Sequence, residues 1–241
     1  MDDDHARRTD MKKLGSSMSR SGAVYRALKR AIIEQALAPG TKLPEDSIGE
    51  RLGVSRTLVR EALLRLNGEG LVELRPNRGA CVAQPSLEDG QDIFAVRGAL
   101  ERLVVQNLAG RLTPDHQRRI EAHVAAEEKA SGRDGATSIR LAGEFHIMLA
   151  EMTGNALLAR YVNEVVSRCS LILALYGRPH SSECGVSEHR QVLEALAGGD
   201  ADRAAAVMTE HLMAITSRAL ISGQDQDPRD ILASYAREEG L

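Results

Sequence analysis

Leu52-Gly53-Val54-Ser55-Arg56-Thr57-Leu58-Val59-Arg60-Glu61-Ala62-Leu63 contains the junction between two amphipathic segments. Upstream of it, from about Glu45, Ile48 and Leu52 share one helical face; downstream, Leu58 or Val59, Ala62, Leu63 and Leu66 form another. Gly53-Val54-Ser55 is too short for anything except a sharp turn. Gly53 can take the positive φ that such a turn demands, and the Ser55 hydroxyl can cap the helix that follows. Two helices joined in this way cross at a steep angle.

On the N-terminal side of this junction, Val24, Leu28, Ala31, Ile32 and Ala36 recur at three- and four-residue spacing, which predicts a helix with Ser21 as N-cap and Pro39-Gly40 as its stop. On the other side, Leu71-Val72-Glu73-Leu74 and Ala80-Cys81-Val82-Ala83 are short β-prone runs separated by the turn-forming Pro76-Asn77-Arg78-Gly79. Three helices and a basic-tipped hairpin make a winged helix-turn-helix, a module that reads duplex DNA. Arg56 and Arg60 lie four apart and so share a face, from which each guanidinium can donate two hydrogen bonds to a guanine edge or clamp a phosphate. Ser55 and Thr57 can donate to phosphate at the helix start, and Asn77, Arg78 and Gly79 would place the wing in a groove. The competing reading is a solvated charged face, also carrying Arg65, in which the arginines pair with Glu61.

Charge follows the same division. Residues 1–85 carry 15 Lys and Arg against 11 Asp and Glu, whereas the remainder carries 16 against 23, so the net charge of -3 conceals a basic first third. Aromatic residues are 2% of the chain, too few for a surface that stacks single-stranded bases. No stretch approaches the roughly 18 to 20 apolar residues of a membrane span, and the acidic Met1-Asp2-Asp3-Asp4 is unlike a secretory signal. A cytoplasmic protein with no membrane partner is expected. Cys81, Cys169 and Cys184 form no C-x-x-C pair and are read as reduced thiols.

Beyond a linker at Gln84-Pro85-Ser86 the pattern is helical to about Ile221, with breaks at Gly110, 131–135, Gly154, 177–184 and Gly198-Gly199. The expected fold is therefore mostly α: an N-terminal winged helix-turn-helix of three helices plus a β-hairpin, followed by an all-helical antiparallel bundle of about six helices. The boundaries are a mobile arm over 1–20, the DNA-binding domain over 21–84, a helical effector-binding and dimerisation domain over 85–222, and a tail over 223–241. The arm's Arg7, Arg8, Lys12 and Lys13 either brush DNA phosphates or have no role.

Three histidines of the second domain each interrupt an apolar face on a different helix. His146 precedes Leu149 and Ala150; His189 precedes Val192, Leu193 and Leu196; His211 lies between Val207 and Ile215. Three imidazoles in one core can bind a divalent transition ion and leave positions open for a ligand carboxylate. Taken singly, each can equally be a buried histidine satisfied by hydrogen bonds.

The stretch 38–44, the helix-turn-helix 52–63, Gly70-Leu71-Val72 and Pro76-Asn77-Arg78-Gly79 resemble the GntR family of bacterial repressors over about 60 residues. Phe145-His146, Gly154-Asn155, Glu188-His189 and His211-Leu212 are similar to signature positions of the FCD ligand-sensing domain found in the FadR-type branch of that family. The resemblance implies a homodimer on palindromic double-stranded operator DNA, a small effector of carboxylate type, and zinc or nickel held by the three histidines and an aspartate. Here the aspartate position is Ala142, and Asp46 follows Glu45 where members often have a basic residue. Cys184 could supply a substitute thiolate or be an ordinary loop thiol. Arg97 matches an arginine that the family places near the effector, or it is a salt-bridge partner of Glu101; Asn155 is the third effector-site candidate. The rival to a regulator is a metal-dependent hydrolase using the three histidines with an accessory winged helix. No nucleophile elbow, P-loop or dinucleotide fingerprint supports it.

Overall fold

A computed structural model describes residues 20–177 and 182–220, and side chains are described for those except 182–184 and 218–220. The expected arm, apart from Arg20, and the C-terminal tail lie outside the described residues.

The first helix, α1, covers 20–33, and is followed by strand β1 (Lys42–Leu43) and helices α2 (Glu45–Leu52) and α3 (Arg56–Gly68). Helix α1 is already running at residue 20, so Ser21 is a buried residue within it and not its N-cap. It ends six residues before Pro39, because Gln35 adopts φ 59° and the Leu37 amide returns to the Ala31 carbonyl at 3.0 Å. Between α2 and α3, Gly53 takes φ 63° and the Ser55 side chain accepts from the Leu58 amide at 3.4 Å, which forms the expected sharp turn.

Strands β2 (Val72–Arg75) and β3 (Gly79–Val82) form the wing, in the register Val72↔Val82 to Arg75↔Gly79. A third strand joins them: β1 pairs antiparallel with β3, Lys42 opposite Cys81, giving the order β1-β3-β2. Val59, Leu63, Leu66, Ile32, Leu71 and Val82 make the core of this domain, and Leu171 from the helical domain is buried among them.

The Ser86 capping box starts α4 (Leu87–Leu108), which is followed by α5 (Pro114–Ala130), α6 (Gly135–Met152), α7 (Ala156–Tyr176), α8 (Ser182–Ala197) and α9 (Ala201–Leu220). Helix α4 packs on α7 and α9, α6 lies against α5 and α7, and α8 lies against α5 and α9. Their shared interior holds Phe145, Leu149, Val105, Ile120, Val162 and Met208. Cys184 falls within α8 and not in the loop before it, and its side chain lies outside the described residues.

The domains are tied by polar contacts as well. Arg168 Nε of α7 donates to the Glu69 carbonyl at 2.9 Å, Lys29 Nζ to Asn163 Oδ1 at 3.2 Å, and Arg140 Nε of α6 to Glu34 Oε1 at 2.9 Å. A Cβ on Gly70 (φ +73°) would stand 2.6 Å from Arg168 Nε, so the first of these contacts requires a glycine there.

Candidate functional site

The packing of α6, α8 and α9 brings His146, His189 and His211 together, all buried, with ligand-capable atoms within 4.8 Å of one another. The rings are held from outside by carboxylates. Glu101 of α4 accepts from His146 Nδ1, Glu127 of α5 from His189 Nδ1 at 2.9 Å, and Glu188 from His211 Nδ1 at 2.6 Å. Phe145 stacks flat on His189 with centroids 3.9 Å apart. With Nδ1 engaged, each ring turns Nε2 inward: those of His146 and His211 stand 3.3 Å apart, and that of His189 is buried with no hydrogen-bond partner.

Protonation explains why this arrangement suits a cation. Burial pushes His146 down to about 3 and displaces His211 downward too, so both rings are neutral near pH 7. Burial works against a charged Glu101, but the His146 and Arg97 contacts outweigh it and hold the carboxyl below its ordinary value. The neutral His146 and His211 rings, donating from Nδ1, keep a lone pair on Nε2, and lone pairs facing one another need a positive centre between them. Nitrogens sharing an ion at about 2.1 Å lie a little over 3 Å apart, as the His146–His211 pair does. The residues present thus fit a divalent ion.

The inward face opens into a cavity of about 730 Å³ that Arg97, Ala142 and Cys169 also line. Arg97 is buried, donates to Glu101 Oε1 at 2.6 Å, and lines the cavity with the histidines. Asn155 is not brought to this cavity: it is exposed, and its side chain caps α7 by accepting from the Leu157 and Leu158 amides.

On the other domain Ser55, Arg56, Thr57 and Arg60 are exposed on one end and face of α3, and Asn77, Arg78 and Gly79 are exposed at the wing tip, with Asn77 at φ 59°. Arg56 pairs across the turn with Glu45 at 2.8 Å and Asp46 at 3.4 Å, and not with Glu61. Arg60 makes no ion pair among the described residues. Arg65 is withdrawn from that face, its guanidinium 3.7 Å from the Tyr25 ring centroid.

Residues 20–82 match the model of bacterial regulatory proteins of the gntR family, and residues 92–214, just over half of the chain, match the FCD domain. The chain belongs to the GntR family. Among relatives of this GntR protein, the HTH-type transcriptional regulator LutR of Bacillus subtilis (strain 168) is 31% identical over 199 residues, spanning 73% of this chain and 90% of that one. The HTH-type transcriptional repressor RspR of Escherichia coli (strain K12) is 27% identical over 195 residues, spanning 80% and 86%. Of solved structures, E. coli McbR/YncC shares the fold with a TM-score of 0.74 at 22% identity, over 81% of this chain and 94% of that one. The family and these relatives make the GntR protein a DNA-binding transcription regulator and not an enzyme. No helix among the described residues is long and apolar enough to cross a membrane.

Sequence reasoning missed the carboxylates that orient the imidazoles. Glu127 was visible as a charge on the face of Ile120 and Val124, and Glu101 as one on that of Phe94, Val104 and Leu108.

Proposed function

We propose that the protein is an effector-responsive repressor that binds palindromic operator DNA as a homodimer, residues 21–84 reading DNA and 85–222 carrying the sensor. The observation that supports the sensor is the set of three inward Nε2 atoms, each on a ring held by a carboxylate. His146, His189 and His211 hold a divalent ion, zinc or nickel, which when bound supplies a positive centre for an effector carboxylate. Ala142 on the cavity wall leaves room beside the histidines, so the effector's own carboxylate completes the ligand set. Arg97 steadies Glu101 behind His146 and adds positive potential. Repression is supported by RspR, which is named a repressor.

On the DNA side Arg60 and Arg56 read base edges, Ser55 and Thr57 meet phosphate at the N-terminus of α3, and Asn77, Arg78 and Gly79 form the groove-entering tip. A hydrolase would need a carboxylate free to act as base beside the nitrogens. Glu101, Glu127 and Glu188 are committed to Nδ1 atoms, and Glu144 to Arg140.

The test combines elemental analysis of purified wild type and His189→Ala with operator titrations in the presence of carboxylic acids. About one metal equivalent in wild type, its loss in the variant, and an acid response abolished by chelation are expected. Metal-free wild type that takes up no zinc or nickel would end the metal-sensor reading and leave only the DNA-binding function.

A further inference from the structure

The same cavity has a second end. Besides the histidines its wall includes Arg26, Lys29 and Arg30 of α1, in the DNA-reading domain, and Arg140 of α6. These four cations outnumber the carboxylates within their reach. Glu34 Oε1 accepts from both Arg30 Nε at 2.8 Å and Arg140 Nε at 2.9 Å, and Glu69 serves Lys29 at 2.9 Å and Arg65 at 3.6 Å. Arg140 also reaches Glu144 at 2.8 Å, while Arg26 makes no ion pair among the described residues. The rest of the wall mixes apolar side chains, Ile139 and Ile147 of α6 and Val166 and Leu173 of α7 among them, with the small polar Ser167 and Ser170.

A volume of about 730 Å³ falls in the range of pockets that hold drug-sized ligands, roughly 300–1,000 Å³, and a two- or three-carbon acid would leave most of it to water. Arg140 precedes His146 by six residues on one helix, about 9 Å along its axis.

We infer that the cavity takes an elongated dicarboxylate with an apolar middle, one end at the histidine-bound metal and the other at Arg140 beside α1. This rests on the metal-carboxylate reading above. The far carboxylate competes with Glu34 for Arg140, and Glu34 follows α1 in the DNA-reading domain, so the ligand's length bears on a contact between the two domains.

Calorimetric titration of the zinc-loaded full chain with heptane-, octane- and nonanedioate, beside the monocarboxylates of equal length, tests this. In wild type at least one diacid should bind tenfold or more tightly than its monoacid. That advantage should vanish in Arg140→Gln and survive in part in Arg140→Lys, with monoacid affinity unchanged in both. The favoured diacid should also weaken operator binding more than its monoacid does. Equal affinities for diacids and monoacids in wild type, or an advantage that Arg140→Gln leaves intact, would overturn the inference while sparing the metal-carboxylate reading. Binding of neither class to zinc-loaded wild type would overturn both.

Discussion

Nε2 of His146 and Nε2 of His211 face each other at 3.3 Å while their Nδ1 atoms point away, onto Glu101 and Glu188. Neutral imidazoles so oriented repel across the gap until a cation enters it. Metal binding is therefore expected to stabilise the fold. An ion present at about a thousand times its Kd adds about 4 kcal/mol, which for a protein of this size raises Tm by roughly 10 °C. Differential scanning fluorimetry with EDTA and then with excess zinc or nickel checks it; identical melting curves would count against a metal.

The orienting carboxylates should tune that affinity. Replacing Glu127 by Gln keeps the shape but removes the charge behind His189, and should weaken metal binding 10- to 100-fold. Glu101→Gln should cost more, several kcal/mol in stability, because it also leaves Arg97 buried without its counter-charge. Competition titrations with a chelating dye, alongside urea unfolding, separate the two effects.

Acid should destabilise the metal-free protein in a defined window. His146 has its native pKa near 3 against an ordinary 6.5, so the unfolded chain takes up the proton first and stability falls as the pH drops through 6.5, until the native residue also protonates near 3. At about 1.4 kcal/mol per unit, His146 alone accounts for about 2 kcal/mol lost by pH 5, and His211 acts in the same direction. The depressed Glu101 contributes only below about 4.5, where the unfolded carboxyl begins to protonate. Urea unfolding at pH 7, 6 and 5 in EDTA should show the loss, reduced in His146→Gln; a flat profile in wild type would refute it.

For the DNA-reading face, Arg60→Ala should cost about 1–3 kcal/mol and relax preference at one base pair, whereas Arg78→Ala should weaken all sequences alike and lower the salt slope by about 1. Arg56 differs because Glu45 and Asp46 hold it. Glu45→Gln should raise affinity for random duplex while lowering discrimination, since the guanidinium becomes free to move to any phosphate. Operator and random-sequence titrations across a salt series distinguish these outcomes.

The parts of this molecule that were legible in the sequence are those set by local spacing. Gly53 and Ser55 mark the turn between α2 and α3, and the breaks at Gly110, Gly154 and Gly198-Gly199 fall between helices, whereas the one expected over 177–184 runs too far, since α8 is already helical at Ser182. Strand β1 was not legible, because two residues carry no period; Lys42 and Leu43 become a strand only by pairing with β3. The histidines stood out because a polar ring on an apolar face needs a reason to be there. Glu127 sits on such a face too, but its partner His189 is 62 residues away, and only the packing of α5 on α8 brings them together. The partners of Arg56 were hidden similarly, since they depend on the angle at which α2 crosses α3.

Leu171 belongs by sequence to the FCD domain and by burial to the core of the winged helix. A reading head cut from this chain and joined to a foreign sensor would carry a leucine-sized hole, at a cost of the order of 2–5 kcal/mol by comparison with leucine truncations. Chimeras made by exchange at residue 85 inherit that defect unless the incoming helix supplies an equivalent side chain. Evolution of new sensors on this head is under the same constraint: whatever else α7 acquires, one turn of it must remain shaped for a domain that it does not belong to.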